Sequence, residues 1–209
     1  MYLLEHPKQK HEPWNKGKLI GQKSPLKRKD IWTLRVKLEL TPKHERGLAM
    51  LNLAIDSKLR ASDLVKLKLK DVSVGGKILK RAMIIQQKTA LPVQFELTKP
   101  TRDVLTCHIN DLNLRYDDYL FESRSKKGFH ITTRQYSRIV KKWVSMIGLD
   151  ECYFGTHSLR RTKVSLIYKQ TKNLRAIQLL LGHKSLQSTV QYLGVEVEDA
   201  LELAEQIEI

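Results

Sequence analysis

His157, Arg160, His183 and Tyr192 fall in the last third of the chain, at intervals that suit short helices. His157 and Arg160 are i and i+3, so on one helix both side chains leave the same face. Thr156 reads as the N-cap of that helix. Leu174, Ile177 and Leu181 mark a second amphipathic helix, which Gly182 ends as a C′ residue because only glycine takes the left-handed conformation there without strain. His183 follows at that end, and Ser185 reads as the cap of a short third helix carrying Tyr192. Packed together, these helices would bring a guanidinium, two imidazoles and a phenol to one place, a set suited to chemistry on a phosphate.

That chemistry can be stated in atoms. A phosphodiester under attack builds negative charge on its non-bridging oxygens. Many enzymes neutralise it with two metal ions, but the sequence shows no cluster of carboxylates to hold them, so neither metal nor cofactor is expected. Arg60 and Arg160 can serve instead, because guanidinium forks match phosphate oxygens and stay charged. Tyr192 can attack phosphorus to give a covalent phosphotyrosine, which preserves the ester and lets the strand be resealed without ATP. Lys88 can protonate the leaving 5′-oxygen. His157 can take the tyrosine proton or bond a phosphate oxygen, and His183 can orient the scissile phosphate.

The elements that must position these groups are readable in part. Trp32, Leu34, Val36, Leu38 and Leu40 alternate with polar residues, which predicts a half-buried strand over 32–40. Thr41-Pro42 predicts the start of a helix whose buried face is Leu48, Leu51 and Ile55. Arg60 follows it, and Ser62-Asp63 opens another short helical turn. Gly75-Gly76 reads as a hairpin turn. Strands over 78–86 and 92–97 flank a second turn at 87–90, which sets Lys88 at a hairpin tip where its side chain can swing. A helix is expected over 100–112. Thr132 should cap a longer one with Tyr136, Ile139 or Val140, Trp143 and Ile147 inward and Arg134, Arg138, Lys141 and Lys142 outward. The fold class is therefore α+β, a mostly helical domain with a small antiparallel sheet on one side.

The bulk composition names the partner class. A chain of 209 residues can hold one sizeable core. Its formal net charge of +16 and pI near 9.8 favour a polyanion, above all nucleic acid. Arg134, Arg138, Lys141 and Arg161 are candidates for DNA contact. Residues 1–40 divide off as a basic arm, with Lys8, Lys10, Lys16, Lys18, Lys23, Lys27, Arg28 and Lys29 in it and Trp14 as a candidate anchor, followed by the short strand. Residues 41–209 form the main domain. It ends in an amphipathic acidic tail, where Glu196, Glu198, Asp199, Glu202, Glu205 and Glu208 alternate with apolar residues. That tail could pack on its own core or on a neighbouring subunit. No run reaches the ~18 apolar residues of a membrane span and no signal peptide opens the chain. Cys107 and Cys152 have neither metal nor redox spacing, so a cytoplasmic protein acting at the nucleoid is expected.

Taken singly each candidate is weak, but the ordered set is specific. Leu59-Arg60-Ala61-Ser62-Asp63-Leu64, Lys88-Thr89, His157-Ser158-Leu159-Arg160-Arg161, Leu181-Gly182-His183 and Thr189-Val190-Gln191-Tyr192 resemble the tyrosine recombinases, the phage-integrase family, over roughly residues 41–200. The resemblance implies that Arg60, Lys88, His157, Arg160, His183 and Tyr192 are the catalytic six, with Asp63 supporting the site. It also implies double-stranded DNA as substrate, and strand exchange through a Holliday junction in a homo-tetramer whose C-terminal helices pack on neighbours. Two departures stand out. Lys58 occupies a position two before Arg60 that is often glycine in the family, so that turn must differ or be strained. About forty residues before the main domain are too few for the usual N-terminal clamp domain, so the chain looks like the short forms such as the fimbrial phase-switch invertases. Loss of the clamp should weaken the grip on DNA, a loss the basic arm or an accessory DNA-bending protein would offset. The competing readings are a type IB-like nicking-resealing topoisomerase, a DNA-binding regulator that does not cut, and a metal-dependent nuclease.

Overall fold

The computed structural model of the protein describes residues 22–194 and Glu205. The arm lysines before Lys23, Trp14 and, apart from Glu205, the acidic tail lie outside the described residues.

The first element differs from the expected strand. Residues Arg28–Glu39 form helix α1, which buries Ile31, Leu34 and Leu38. The sequence there satisfies two periods at once, since Ile31, Leu34 and Leu38 repeat at i, i+3 and i+7 while the even positions alternate. The helix wins because its stripe packs on the helices beside it. In consequence Trp32 and Leu40, assigned inward by the alternation, stand 67% and 80% exposed. The Asp30 carboxylate accepts from the Lys27 backbone N–H at 2.8 Å and closes the first turn.

Thr41-Pro42 does not open the next helix. The Thr41 hydroxyl donates back to the Leu38 carbonyl, and helix α2 runs over Glu45–Ser57 with His44 at its N-cap. Every residue from Leu48 to Ser57 is buried, so α2 is the central rod of the core. Short helices α3 (Ala61–Leu64) and α4 (Leu69–Val72) follow. Strands β1 (Ser73–Val74) and β2 (Lys77–Ile78) pair around Gly75-Gly76, whose φ values of +57° and +74° explain the two glycines.

Strands β3 (Arg81–Ile85) and β4 (Pro92–Glu96) form the hairpin below Lys88, antiparallel with Ile85 opposite Pro92. The expected small sheet is therefore two separate two-stranded pieces. Helices α5 (Lys99–Leu112), α6 (Thr133–Met146), α7 (Thr156–Thr171), α8 (Leu174–Leu181) and α9 (Leu186–Leu193) complete the described chain. Thr132 caps α6 as expected, its hydroxyl accepting from the Gln135 N–H at 3.1 Å. Tyr136, Val140, Trp143 and Val144 face inward there, and Arg134, Arg138, Lys141 and Lys142 are exposed. Around α2 pack α1, α5, α7 and β4. A smaller apolar cluster of Val164, Tyr168, Ile177 and Leu181 seats Tyr192 and Leu193, and this cluster fixes α9 against α7 and α8.

Among the described residues no helix is long and apolar enough to cross a membrane.

Candidate active site

Each candidate side chain is placed by the end of an element. Arg60 is the N-cap of α3, three residues past the end of α2. Lys88 lies exposed in the β3–β4 turn. His157 and Arg160 leave the first turn of α7, which begins one residue earlier than expected. Gly155 is its N-cap, Thr156 is already helical, and the Ser158 hydroxyl accepts from the Gly155 N–H at 3.0 Å. Gly182 ends α8 at φ +63°, and Ser185 caps α9 through the Ser188 N–H, both as expected.

Arg60, Lys88, His157, Arg160, His183 and Tyr192 all line one cavity of about 360 Å³, together with Gln22, Lys23 and Arg161. The rings of His183 and Tyr192 meet edge-on with centroids 5.3 Å apart. The guanidinium carbons of Arg160 and Arg161 lie 5.6 and 5.5 Å from the Tyr192 ring centre. Arg160 is 3% exposed, and its Nη2 donates to the Leu181 carbonyl at 2.9 Å. Its Nε and the Tyr192 hydroxyl are both buried without a hydrogen-bond partner among the described residues.

Burial is the main influence on the site's protons. It pushes the Arg160 guanidinium down to about 10, which leaves it charged at neutral pH. Burial, then the charges of Arg160 and Arg60, push the His183 imidazole down to about 4. The same causes, joined by Arg161 and Lys88, lower His157. Both imidazoles are therefore held in the neutral form at pH 7, where a ring nitrogen can accept a hydrogen bond. Burial raises the Tyr192 phenol against the opposing pull of Arg160, Arg161 and Arg60, so it rests protonated.

Asp63 stands behind this cavity. Its Oδ1 accepts from the Gln87 N–H at 3.0 Å, which ties α3 to the Lys88 turn. The DNA-contact candidates separate into two groups. Arg134, Arg138 and Lys141 share the exposed face of α6, whereas Arg161 is 7% exposed. Its guanidinium is engaged inside, donating to the Lys23 carbonyl at 2.9 Å and to the Leu193 carbonyl at 3.4 Å. Among the described residues no group of three or more His, Cys, Asp or Glu side chains is placed to hold a metal ion.

Three features of the site have no local sequence signal. The segment before α1 lines the cavity through Gln22 and Lys23, where the Gln22 amide donates to the Gln191 carbonyl and the Lys23 carbonyl accepts from Arg161. Lysines scattered along a basic arm give no sign of this.

The second feature is a buried ion cluster under Arg60. Lys58 takes φ +55° as the C-cap of α2, so the turn keeps the left-handed geometry that glycine would suit, at the cost of strain. Its ammonium is fully buried and lies 2.7 Å from Glu96 of β4. Lys163 of α7 pairs with both Asp56 and Glu96 at 2.6 Å. Burial pushes the Lys58 ammonium down against the pull of Glu96. Burial alone would raise the Asp56 carboxyl, but Lys163, Thr101 and Thr98 hold it below its usual range. The cluster joins the end of α2, β4 and α7, which carry or adjoin Arg60, Lys88 and Arg160. The third feature is Gln86, buried at the foot of the Lys88 turn.

A helical domain whose cavity joins several cations to a buried phenol has the donor set to receive an anionic ester. A family model described as the phage integrase family matches residues 25–198, and the chain belongs to that family. The probable integrase/recombinase YoeC of Bacillus subtilis is 29% identical over 180 residues, covering 82% of this chain and 90% of that one. A tyrosine recombinase of Pseudothermotoga lettingae is 32% identical over 158 residues, 76% of this chain and 52% of its own length. The chain thus spans nearly all of the first relative and about half of the second. Among solved structures, XerH recombinase bound to its difH substrate before cleavage superposes with a TM-score of 0.70 at 19% identity, over 87% of this chain and 53% of that one. XerA recombinase gives 0.70 at 20% identity over 89% and 65%. At these identities the structures establish the fold.

Proposed function

We propose that the chain is a site-specific DNA recombinase that cleaves and rejoins strands through a 3′-phosphotyrosyl intermediate. One observation carries this reading. In a cavity lined by Arg60, Lys88 and His183, the Arg160 Nε and the Tyr192 hydroxyl are buried with no partner among the described residues. Orphaned buried polar groups are costly, and a phosphate taken into the cavity would give each a partner once its side chain turns toward it.

In this reading Arg60 and Arg160 hold the non-bridging oxygens and offset the charge that develops there. The Tyr192 oxygen attacks phosphorus as its proton passes to neutral His157 or to a phosphate oxygen, and the bond to the 5′-oxygen breaks. Lys88 supplies the proton that the 5′-oxygen takes up. His183 orients the phosphate, and its Nδ1 is directed by Thr189 Oγ1 at 3.2 Å. Reversal with a new 5′-hydroxyl reseals the strand. The chain acts on double-stranded DNA in the cytoplasm, as a tetramer.

Assembly has a candidate surface. A cavity of about 320 Å³ beside α1, α2 and α6 mixes apolar Leu38, Met50 and Trp143 with Lys43, Arg46 and Lys142. The acidic, amphipathic tail over 195–209 complements it in charge and in apolar content, which supports docking between copies.

The test is to incubate the protein with nicked duplexes of random sequence and recover DNA that stays attached under denaturing conditions. The expected result is an adduct that forms in EDTA, with Tyr192 at the junction. Binding without an adduct would point to a non-cleaving regulator, and an adduct or cut that needs a metal would overturn the reading.

A further inference from the structure

Gln86 is 1% exposed, polar and placed between the site's two guanidinium groups. Its side-chain Oε1 accepts from Arg60 Nη1 at 2.6 Å and from the Thr89 hydroxyl at 2.9 Å. Its Nε2 donates to the Leu181 carbonyl at 3.2 Å. That same carbonyl accepts from Arg160 Nη2 at 2.9 Å. One carboxamide and one carbonyl therefore link Arg60 to Arg160 in an unbroken chain. The chain also fastens the turn bearing Lys88 to the end of α8, one residue before the Gly182-His183 step.

The fit is close on the far side too. A Cβ on Gly182 would come within 3.2 Å of Gln86 Oε1 and press on it, and the φ of +63° independently favours glycine there. The choice of an amide over a carboxylate has an electrostatic reason. A carboxylate would hold Arg60 equally well but neutralise it. A carboxamide orients the guanidinium and leaves its charge for the substrate.

We propose that Gln86 is a positioning residue that sets Arg60 against Arg160 and docks the Lys88 turn on the His183 loop, holding the cation cradle at full charge. This rests on the strand-transfer reading of the same cavity. Gln86 does not line the cavity and touches no reacting atom. It acts through the residues that do, and displacement of such groups by an ångström costs about 10²-fold in rate.

The experiment uses the full chain and a nicked duplex recovered by covalent capture as above. Single-turnover adduct formation and DNA affinity are measured for the unaltered protein, Gln86→Met and Gln86→Glu. Methionine fills the same space with no hydrogen bonds. Glutamate keeps the bonds to Arg60 and Thr89 but adds a charge. Adduct formation is expected to fall about 10²-fold in Gln86→Met, and further in Gln86→Glu, with affinity within about threefold of the parent.

A second duplex carries a methylphosphonate at the scissile position, which removes one charge and lessens the need for a cationic cradle. There the Gln86→Met deficit should shrink about tenfold. Equal deficits on both duplexes would mean that Gln86 only supports the fold, and would overturn the proposal, as would variants that cleave like the parent. If the unaltered protein forms no adduct with any duplex, the strand-transfer reading itself falls and this inference falls with it.

Discussion

The Tyr192 ring meets the His183 ring edge-on, at 83° between planes, inside the chain that also supplies Arg60 and Arg160. The phenol is therefore poised in its own cavity, yet its hydroxyl makes no hydrogen bond among the described residues. A buried hydroxyl held without a partner carries an energetic cost that its deletion removes. Tyr192→Phe is expected to abolish the covalent adduct and leave DNA affinity unchanged. Because an unmade buried hydrogen bond costs about 1–3 kcal/mol, the variant's melting temperature should stay level or rise. A marked fall in Tm would mean that the hydroxyl has a structural partner.

The depressed imidazole gives a pH signature in the free protein. Unfolded, His183 takes up a proton near its ordinary 6.5; folded, it resists until about 4. Between these values the unfolded state binds more protons, so stability falls as pH falls. Thermal melts of the parent and of His183→Asn across this window should separate, the variant losing less stability on the way from 6.5 to 4. Parallel curves would show that the folded site tolerates the imidazolium.

Arg160→Lys tests the cradle. Lysine keeps a charge but cannot span the Leu181 carbonyl and a phosphate together, since its donors radiate from a single nitrogen. Single-turnover cleavage is expected to drop about 10²–10³-fold, the usual effect of removing one preorganised donor from a developing anion. Affinity measured by fluorescence anisotropy should change far less. A drop confined to affinity would make Arg160 a binding residue only.

The sequence carries the site better than the fold around it. Gly182, His183 and Tyr192 fall where helix periodicity and cap chemistry put them, because both act over a few residues, whereas the helix bearing His157 and Arg160 starts one residue early, capped by Gly155. The helix over Arg28–Glu39 reads as a strand because its apolar residues satisfy period 2 as well as period 3.6. Only packing against α2 and α6, which are distant in sequence, separates the two. Gln86 and Lys58 are opaque for a related reason. A glutamine before a turn and a lysine after a helix are ordinary surface residues until tertiary contacts bury them. Lys58 stands out in the sequence as an intruder at a glycine position, but nothing local indicates that Glu96 and Lys163 will receive it.

That ion cluster makes an asymmetric prediction. Removing Glu96 leaves two ammonium groups, one of them fully buried, with Asp56 alone between them. Removing Lys58 leaves Lys163 to serve both carboxylates at 2.6 Å. Breaking a buried pair costs about 3–5 kcal/mol, whereas replacing a buried charge with apolar bulk can be nearly neutral. The Glu96 side chain is 34% exposed, so solvent relieves part of that cost. Urea unfolding should show Glu96→Ala destabilised by about 2–3 kcal/mol and Lys58→Met by about 1 kcal/mol or less. The reverse order would make Lys58 the keystone.

The exposed face of α6 offers a test of the proposed DNA contact. Arg134 and Arg138 stand one turn apart on it and pair with no carboxylate among the described residues, whereas Lys141 lies 4.0 Å from Glu151. Unpaired cations can displace counterions from phosphates without first breaking an ion pair, so the arginines should contribute more. Each phosphate deprived of its protein cation reduces the slope of log K against log salt by about 0.9. Arg134→Ala with Arg138→Ala is therefore expected to flatten the slope by about 2. Affinity should weaken equally on cleavable and unrelated duplexes if the arginines bind backbone. Weakening confined to the cleavable duplex would instead place them on base edges, and an unchanged slope would take this face out of the interface altogether.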